Sequence, residues 1–119
     1  MNYSFIIHGE TPSKKNSRIN LPNGVSIPNE RYREWHDMAQ GQLMRQKRPG
    51  KPLEVVSIDL LFIHGDKRNR DSDNQLSSIF DLLQDCKIIK NDSWQNIPHY
   101  AVDNDYEKNN AKAIIKISC

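Results

Sequence analysis

A single α+β domain over residues 1–119, with one mixed β-sheet and two helices in βαβαββ order, is predicted by three observations. Apolar side chains alternate near both ends of the chain, at Tyr3, Phe5 and Ile7 and again at Ala113, Ile115 and Ile117, which is the period of a half-buried strand. Two stretches carry apolar residues at helical spacing, namely Tyr32, Trp35, Ala39 and Leu43, then Leu76, Ile79, Phe80 and Leu83. Between them, Val56, Ile58, Leu60 and Phe62 form one apolar face while Val55, Leu61 and Ile63 form the other, the mark of a central strand.

The elements follow in order. Tyr3 to His8 reads as the first strand. Residues 9 to 28 hold three prolines, two glycines and three asparagines and read as one long polar loop, opening on Thr11-Pro-Ser-Lys-Lys-Asn-Ser-Arg18. A helix from Asn29, placed to cap it, to about Gln46 tolerates Gly41 at a cost of about 1 kcal/mol. Pro49, Gly50 and Pro52 end it, and a strand from Leu53 to His64 follows. The second helix begins after Asn74. Asn91-Asp92-Ser93 is a turn signal, Trp94 to Val102 reads as an edge or bulged strand because of Pro98, and Asp103 to Asn110 is a polar turn before the last strand. Trp35 and Trp94 are both expected in the core. No repeat or low-complexity tract is present.

Composition narrows the class. Hydrophobic residues make up 36% and charged residues 27%, a thin core for a soluble domain, and one that dimerisation would help. No apolar run approaches the ~20 residues of a membrane span, and no basic stretch leads into an apolar one at the N-terminus, so the expected address is the cytoplasm. Cys86 and Cys119 lie in no CxxC or His-spaced pattern, which argues against zinc or a disulfide framework, and the four histidines make no metal pattern, although His8 and His64 both end strands. The net charge of +2 is unevenly spread: residues 1–70 carry twelve Lys/Arg against seven Asp/Glu, and residues 71–119 carry five against eight. A basic surface leading to an acidic centre suits nucleic acid, and solvated surface lysines account for the count equally well.

The chemistry concentrates at Lys67-Arg-Asn-Arg-Asp-Ser-Asp-Asn-Gln75, where cations run into Asp71 and Asp73 at a strand-to-helix junction. Two readings fit the pair. Both are residue types that cap helices, and both offer the carboxylate oxygens that hard cations such as Mg2+ take. The metal reading requires a third carboxylate, and Asp92 supplies it if its strand runs beside the Leu53 to His64 strand. A divalent ion would then relieve the like charges, polarise a phosphoryl oxygen and lower the pKa of a bound water. Asp73, Ser77 and Asp81 fall at i, i+4 and i+8, on the side away from the apolar stripe.

Several motifs, taken in order, resemble one known family, the RusA-type Holliday junction resolvases, small endonucleases common in phages and prophages. They are the Tyr3 to Ile7 strand running into Pro12-Ser-Lys-Lys-Asn16, the basic run Lys67 to Arg70, Asp71-Ser-Asp-Asn74, Phe80-Asp-Leu-Leu83 and Ile88-Ile-Lys-Asn-Asp92. The resemblance covers nearly the whole chain. It implies a homodimeric endodeoxyribonuclease, dependent on Mg2+ with Mn2+ as the alternative ion. Such an enzyme cuts four-way DNA junctions by paired symmetric nicks in recombination and repair. It further implies that Asp71, Asp73 and Asp92 form the catalytic metal site. Contacts to DNA phosphates are expected from Lys14, Lys15, Arg18, Lys67, Arg68 and Arg70. One position departs: where the family pattern often has a lysine four residues after the second Asp, this chain has Ser77. The cation would then come from Lys14, Lys15, Lys67 or Lys90, or the enzyme is slower. The rival reading is a catalytically silent or weak module that only binds branched DNA.

Overall fold

The computed structural model describes residues 1–13, 18–20, 22–24, 26–28 and 30–119, with 18–20 and 26–28 described by backbone alone. The elements are β1 (Asn2–His8), β2 (Arg18–Asn20), β3 (Ser26–Pro28), α1 (Glu30–Met44), β4 (Ser57–His64), α2 (Ser72–Asp85), β5 (His99–Tyr106) and β6 (Lys112–Ser118). The four long strands form one mixed sheet in the order β1-β6-β4-β5. β6 pairs antiparallel with both β1 and β4, whereas β5 pairs parallel with β4. The predicted α+β architecture is therefore present.

Alternation determines which face of the sheet is buried. Phe5 and Ile7 of β1 stand beside Ile115 and Ala113 of β6, which stand beside Leu60 and Phe62 of β4, and all are buried. Both helices cover that face. α1 contributes Tyr32, Trp35, Ala39 and Leu43, and α2 contributes Ile79, Phe80, Leu82 and Leu83. Each large apolar side chain among them removed from water is worth about 1.5–3 kcal/mol, which gives α1 the packing its glycine and polar residues require. A hydrogen bond of 2.8 Å between His36 Nε2 and Asp85 Oδ2 ties the two helices together.

The two edges of the sheet differ. On the outer side of β1, Gln46 Nε2 donates to the carbonyl of Ile6 at 2.8 Å and Gln42 Nε2 to that of His8 at 3.2 Å. The side-chain oxygens of the same glutamines accept the amides of Ile6 at 3.0 Å and His8 at 2.7 Å. One side chain of α1 and one just past its end thus stand where another strand would bind. At the other edge, among the described residues, no main-chain group pairs with the outer side of β5, whose Tyr100 and Tyr106 are exposed.

Several sequence expectations change. The long loop contains a short hairpin, β2 paired antiparallel with β3, around Pro22-Asn23-Gly24, where Gly24 takes the positive φ such a turn needs. The strand expected from Leu53 starts at Ser57; Leu53 makes only an isolated parallel bridge to Ile89, and Val55 is exposed. The strand expected from Trp94 starts at His99 and runs on to Tyr106. Ser93 captures the amides of Asn96 and Ile97 in a tight turn, and Pro98 holds the chain out of the ladder until the next residue. Trp94 stands on that turn 75% exposed, so of the two tryptophans only Trp35 is in the core. β6 separates β1 from β4, so His8 and His64 are not neighbours. The proposed cap Asn29 lies outside the described residues.

Candidate functional site

β1, β4 and β5 all run the same way, so their C-terminal ends gather at one edge of the sheet. The turn after β1, the loop after β4 and the start of α2 meet there. Gly65 begins the loop in a close approach, since a Cβ at this position would lie 3.3 Å from the backbone nitrogen of Ala111. Asp66 then organises the rest of the loop. Its carboxylate accepts the amide of Arg68 at 3.0 Å and both terminal nitrogens of Arg70, at 2.7 and 3.1 Å. The Arg70 guanidinium, followed by the Arg68 amide, holds the Asp66 carboxyl far below the usual carboxylate range, and the same pairing raises Arg70.

Behind the loop lies a polar network. Glu10 Oε2 accepts from His64 Nδ1 at 3.0 Å and from Gln75 Nε2 at 3.0 Å, while Glu10 Oε1 lies 3.6 Å from Arg70. The other ring nitrogen of His64 lies 2.8 Å from Asn104 Oδ1, and Asn104 Nδ2 lies 3.3 Å from the hydroxyl of Ser72. Gln75 also donates to the carbonyl of Thr11 at 2.7 Å, and Ser78 to that of Pro12 at 2.7 Å, so the residue 10–12 turn is bonded directly onto α2. One carboxylate therefore joins the ends of β1 and β4 to the first turn of α2, and Asn104 adds β5.

Asp71 occupies the N-cap position of α2, but its side chain makes no capping bond; its Oδ2 instead accepts Asn74 Nδ2 at 3.3 Å. Asp73 is exposed in the first turn. Among the described residues neither forms an ion pair, and both present hard carboxylate oxygens to solvent. Ser77 does not stand in for a cation, because its hydroxyl donates to the carbonyl of Asp73 at 3.1 Å. Beside Asp71 opens a cleft of about 690 Å3 lined by Thr11, Pro12, Ser13, Arg31, Arg68 and Gln75, among others.

The remaining expected site residues are distributed unevenly. Arg68 lines the cleft, and Lys67 holds its ammonium 5.0 Å from the centroid of the Tyr106 ring. Arg70 faces inward, its side chain only 16% exposed, committed to Asp66 and Glu10. Lys14 and Lys15 lie outside the described residues, as does the side chain of Arg18. Asp92 is not brought to the acidic pair within one chain. The segment around it is stitched to the residues ahead of β4, by the amide of Val56 on the carbonyl of Asn96 at 2.8 Å and that of Lys90 on Leu53 at 3.0 Å. That is the opposite edge of the sheet, separated from Asp71 by the length of α2, about 20 Å at 1.5 Å per residue. Among the described residues no three His, Cys, Asp or Glu side chains converge to hold a metal. None of the described helices is long and apolar enough to cross a membrane. Glu10, His64, Gln75 and Arg31 were not marked as site residues by sequence. Their only signal is position: His64 and Glu10 lie at or just past strand ends that prove to share one edge, and Gln75 and Arg31 lie in the first turns of α2 and α1.

Fold and site define a small α+β domain that sets two exposed carboxylates, without ion-pair partners among the described residues, beside an arginine-lined cleft. No family model matches the chain. Among curated proteins, the chain is similar to the crossover junction endodeoxyribonuclease RusA of Aquifex aeolicus (strain VF5), at 30% identity over 83 residues. The match takes in 69% of this chain and 66% of that relative, just short of two thirds of its length. A stretch covering so much of a 119-residue chain necessarily includes its middle, and with it Asp71 and Asp73. The relationship is RusA-like and distant.

Proposed function

We propose that this chain is a metal-dependent endodeoxyribonuclease that resolves four-way DNA junctions by paired nicks, acting in recombination and repair. The observation that carries the reading is the similarity to a crossover junction endodeoxyribonuclease across the segment containing the acidic pair. The site's chemistry supports it. Asp71 and Asp73 are exposed carboxylates without ion-pair partners among the described residues, and they fit Mg2+, or Mn2+ in its place, as two ligands of an incomplete set. Bound there, the ion supplies polarisation of a phosphoryl oxygen and activation of water.

The third ligand comes in this reading from a second copy. Pairing the open β5 edges antiparallel about a two-fold axis sets the start of one β5 against the end of the other. The end of β5 is bonded to the start of α2 through Asn104 and Ser72. The start of β5 follows the segment holding residue 92. Asp92 of the partner subunit then arrives at Asp71 and Asp73, and Lys90 of the partner subunit arrives with it, a cation in place of the one Ser77 lacks. Two such sites face the two equivalent strands of a junction. In this reading Arg68 and Lys67 meet phosphate, while Arg70 holds the loop in shape.

The test is a synthetic four-way junction incubated with the purified protein and Mg2+, alongside an Asp73→Asn variant, a fork and a linear duplex. Paired nicks in the junction by the wild type, with a loss of at least about 100-fold in the variant, are the expected result. If both proteins bind and neither cuts, the chain is a branched-DNA-binding module instead.

A further inference from the structure

The cleft between the 9–13 turn and α2 has features that the acidic pair does not use. Two of its lining residues are almost wholly buried, Thr11 at 2% and Gln75 at 1% exposure, and each has a polar atom with no hydrogen-bond partner among the described residues, Thr11 Oγ1 and Gln75 Oε1. The orientation of the Gln75 amide is settled by its neighbours: its nitrogen donates to Glu10 and to the carbonyl of Thr11, so the orphan atom is the acceptor. A buried polar atom left unpaired costs about 1–3 kcal/mol, a cost that a ligand can remove. Above these atoms stand Arg31, from the first turn of α1, and Arg68. Asp71, at the N-cap of α2, lines the same cleft, and the first-turn amides of that helix receive no cap from its side chain. Unsatisfied helix N–H groups, a hydroxyl donor and two guanidinium groups are complementary to an oxyanion.

We propose that this cleft is a seat for one backbone phosphodiester of the bound strand, held by Arg31, Arg68 and the Thr11 hydroxyl against the start of α2. A water on the phosphate supplies the proton that Gln75 Oε1 lacks. The seat's role is positional: a phosphate fixed there lays the neighbouring stretch of strand along Asp71, which forms part of the same wall. Arg31 thereby becomes a positioning residue contributed by α1, remote in sequence from the acidic motif. The assignment rests on the nuclease reading only for the identity of the polymer. The anion seat itself would serve a silent DNA-binding module equally well.

Two measurements made without divalent metal test it. Titration of the 15N-labelled protein with inorganic phosphate is expected to shift the amides of Ser72, Asp73 and Asn74 and the Nε signals of Arg31 and Arg68. Junction binding is then followed across a salt series. Arg31→Gln is expected to reduce the slope of log affinity against log salt by about one ion. Thr11→Val is expected to weaken binding several-fold with the slope unchanged, and Thr11→Ser, which keeps the hydroxyl, to restore it. An unchanged slope in Arg31→Gln overturns the proposal, even if phosphate still shifts Arg31. Shifts confined to other surface cations overturn it as well. Because neither measurement reads cleavage, a protein that fails to cut junctions can still pass both, and one that cuts can fail both.

Discussion

Glu10 shows how much of this site depends on single carboxylates in fixed positions. It takes donors from β4 and α2, and Arg70 is shared between it and Asp66, so the loop carrying Arg68 is clamped from two sides. The Asp66 half of that clamp has a measurable acid signature. Its folded-state carboxyl lies below the ordinary 3.8, so its contribution to stability is fully present above that value and is lost as pH falls through the folded value. Asp66→Asn should therefore melt below the wild type at neutral pH, with the gap closing on acidification beneath 3.8; a gap independent of pH would dismiss the pairing as a source of stability. At this scale the sequence marked Asp71, Asp73 and Arg68 as candidates, with the acidic pair readable either as helix caps or as ligands of a hard cation. It was silent on Glu10, His64 and Arg31. No spacing rule links residues 10, 31 and 64; the common direction of β1 and β4 and the packing of α1 bring them together.

At the scale of elements, periodicity was a good guide to faces and a poorer one to ends. All four apolar positions expected on α1 are buried, and the two strands read from alternation, β1 and β6, lie side by side. Ends were set by local hydrogen bonds that hydropathy does not encode, as at Ser93, where a turn took Trp94 out of the expected strand. The C-terminus of α2 is a similar case. Lys87 adopts φ +58°, and the amide of Ile88 reaches back to the carbonyl of Leu83 at 2.9 Å, a helix stop usually built on glycine. Lys87→Gly should raise stability by about 1 kcal/mol, read as a rise of several degrees in Tm, since glycine takes left-handed backbone without the Cβ penalty. A fall would mean that the lysine side chain holds that turn. The thiol of Cys86 beside it is pushed up by burial and then by Asp85, so of the two free cysteines Cys119 is the one poised to react.

For the whole molecule, the decisive fact is a direction that the sequence does not reveal: β5 runs parallel to β4, which sends residue 92 to the far edge of the sheet. A site shared between copies makes a distinctive prediction. Asp73→Asn and Asp92→Asn are each expected to be inactive alone, yet mixing them with subunit exchange should restore nicking, because one of the two sites in the mixed dimer then carries wild-type residues from both chains. No recovery, with exchange verified, would place all three carboxylates in one chain. Sedimentation should give about twice the 13.8 kDa chain mass. Gln42 of α1 and Gln46 just past it bear on what happens beyond two chains. Sheets that can grow at both margins polymerise, whereas this one has a single receptive margin among the described residues, which a symmetric partner would consume completely. In such a pair Gln42 and Gln46 would act as a stop signal for assembly, and their loss is what would turn a closed pair into the repeating unit of a fibre.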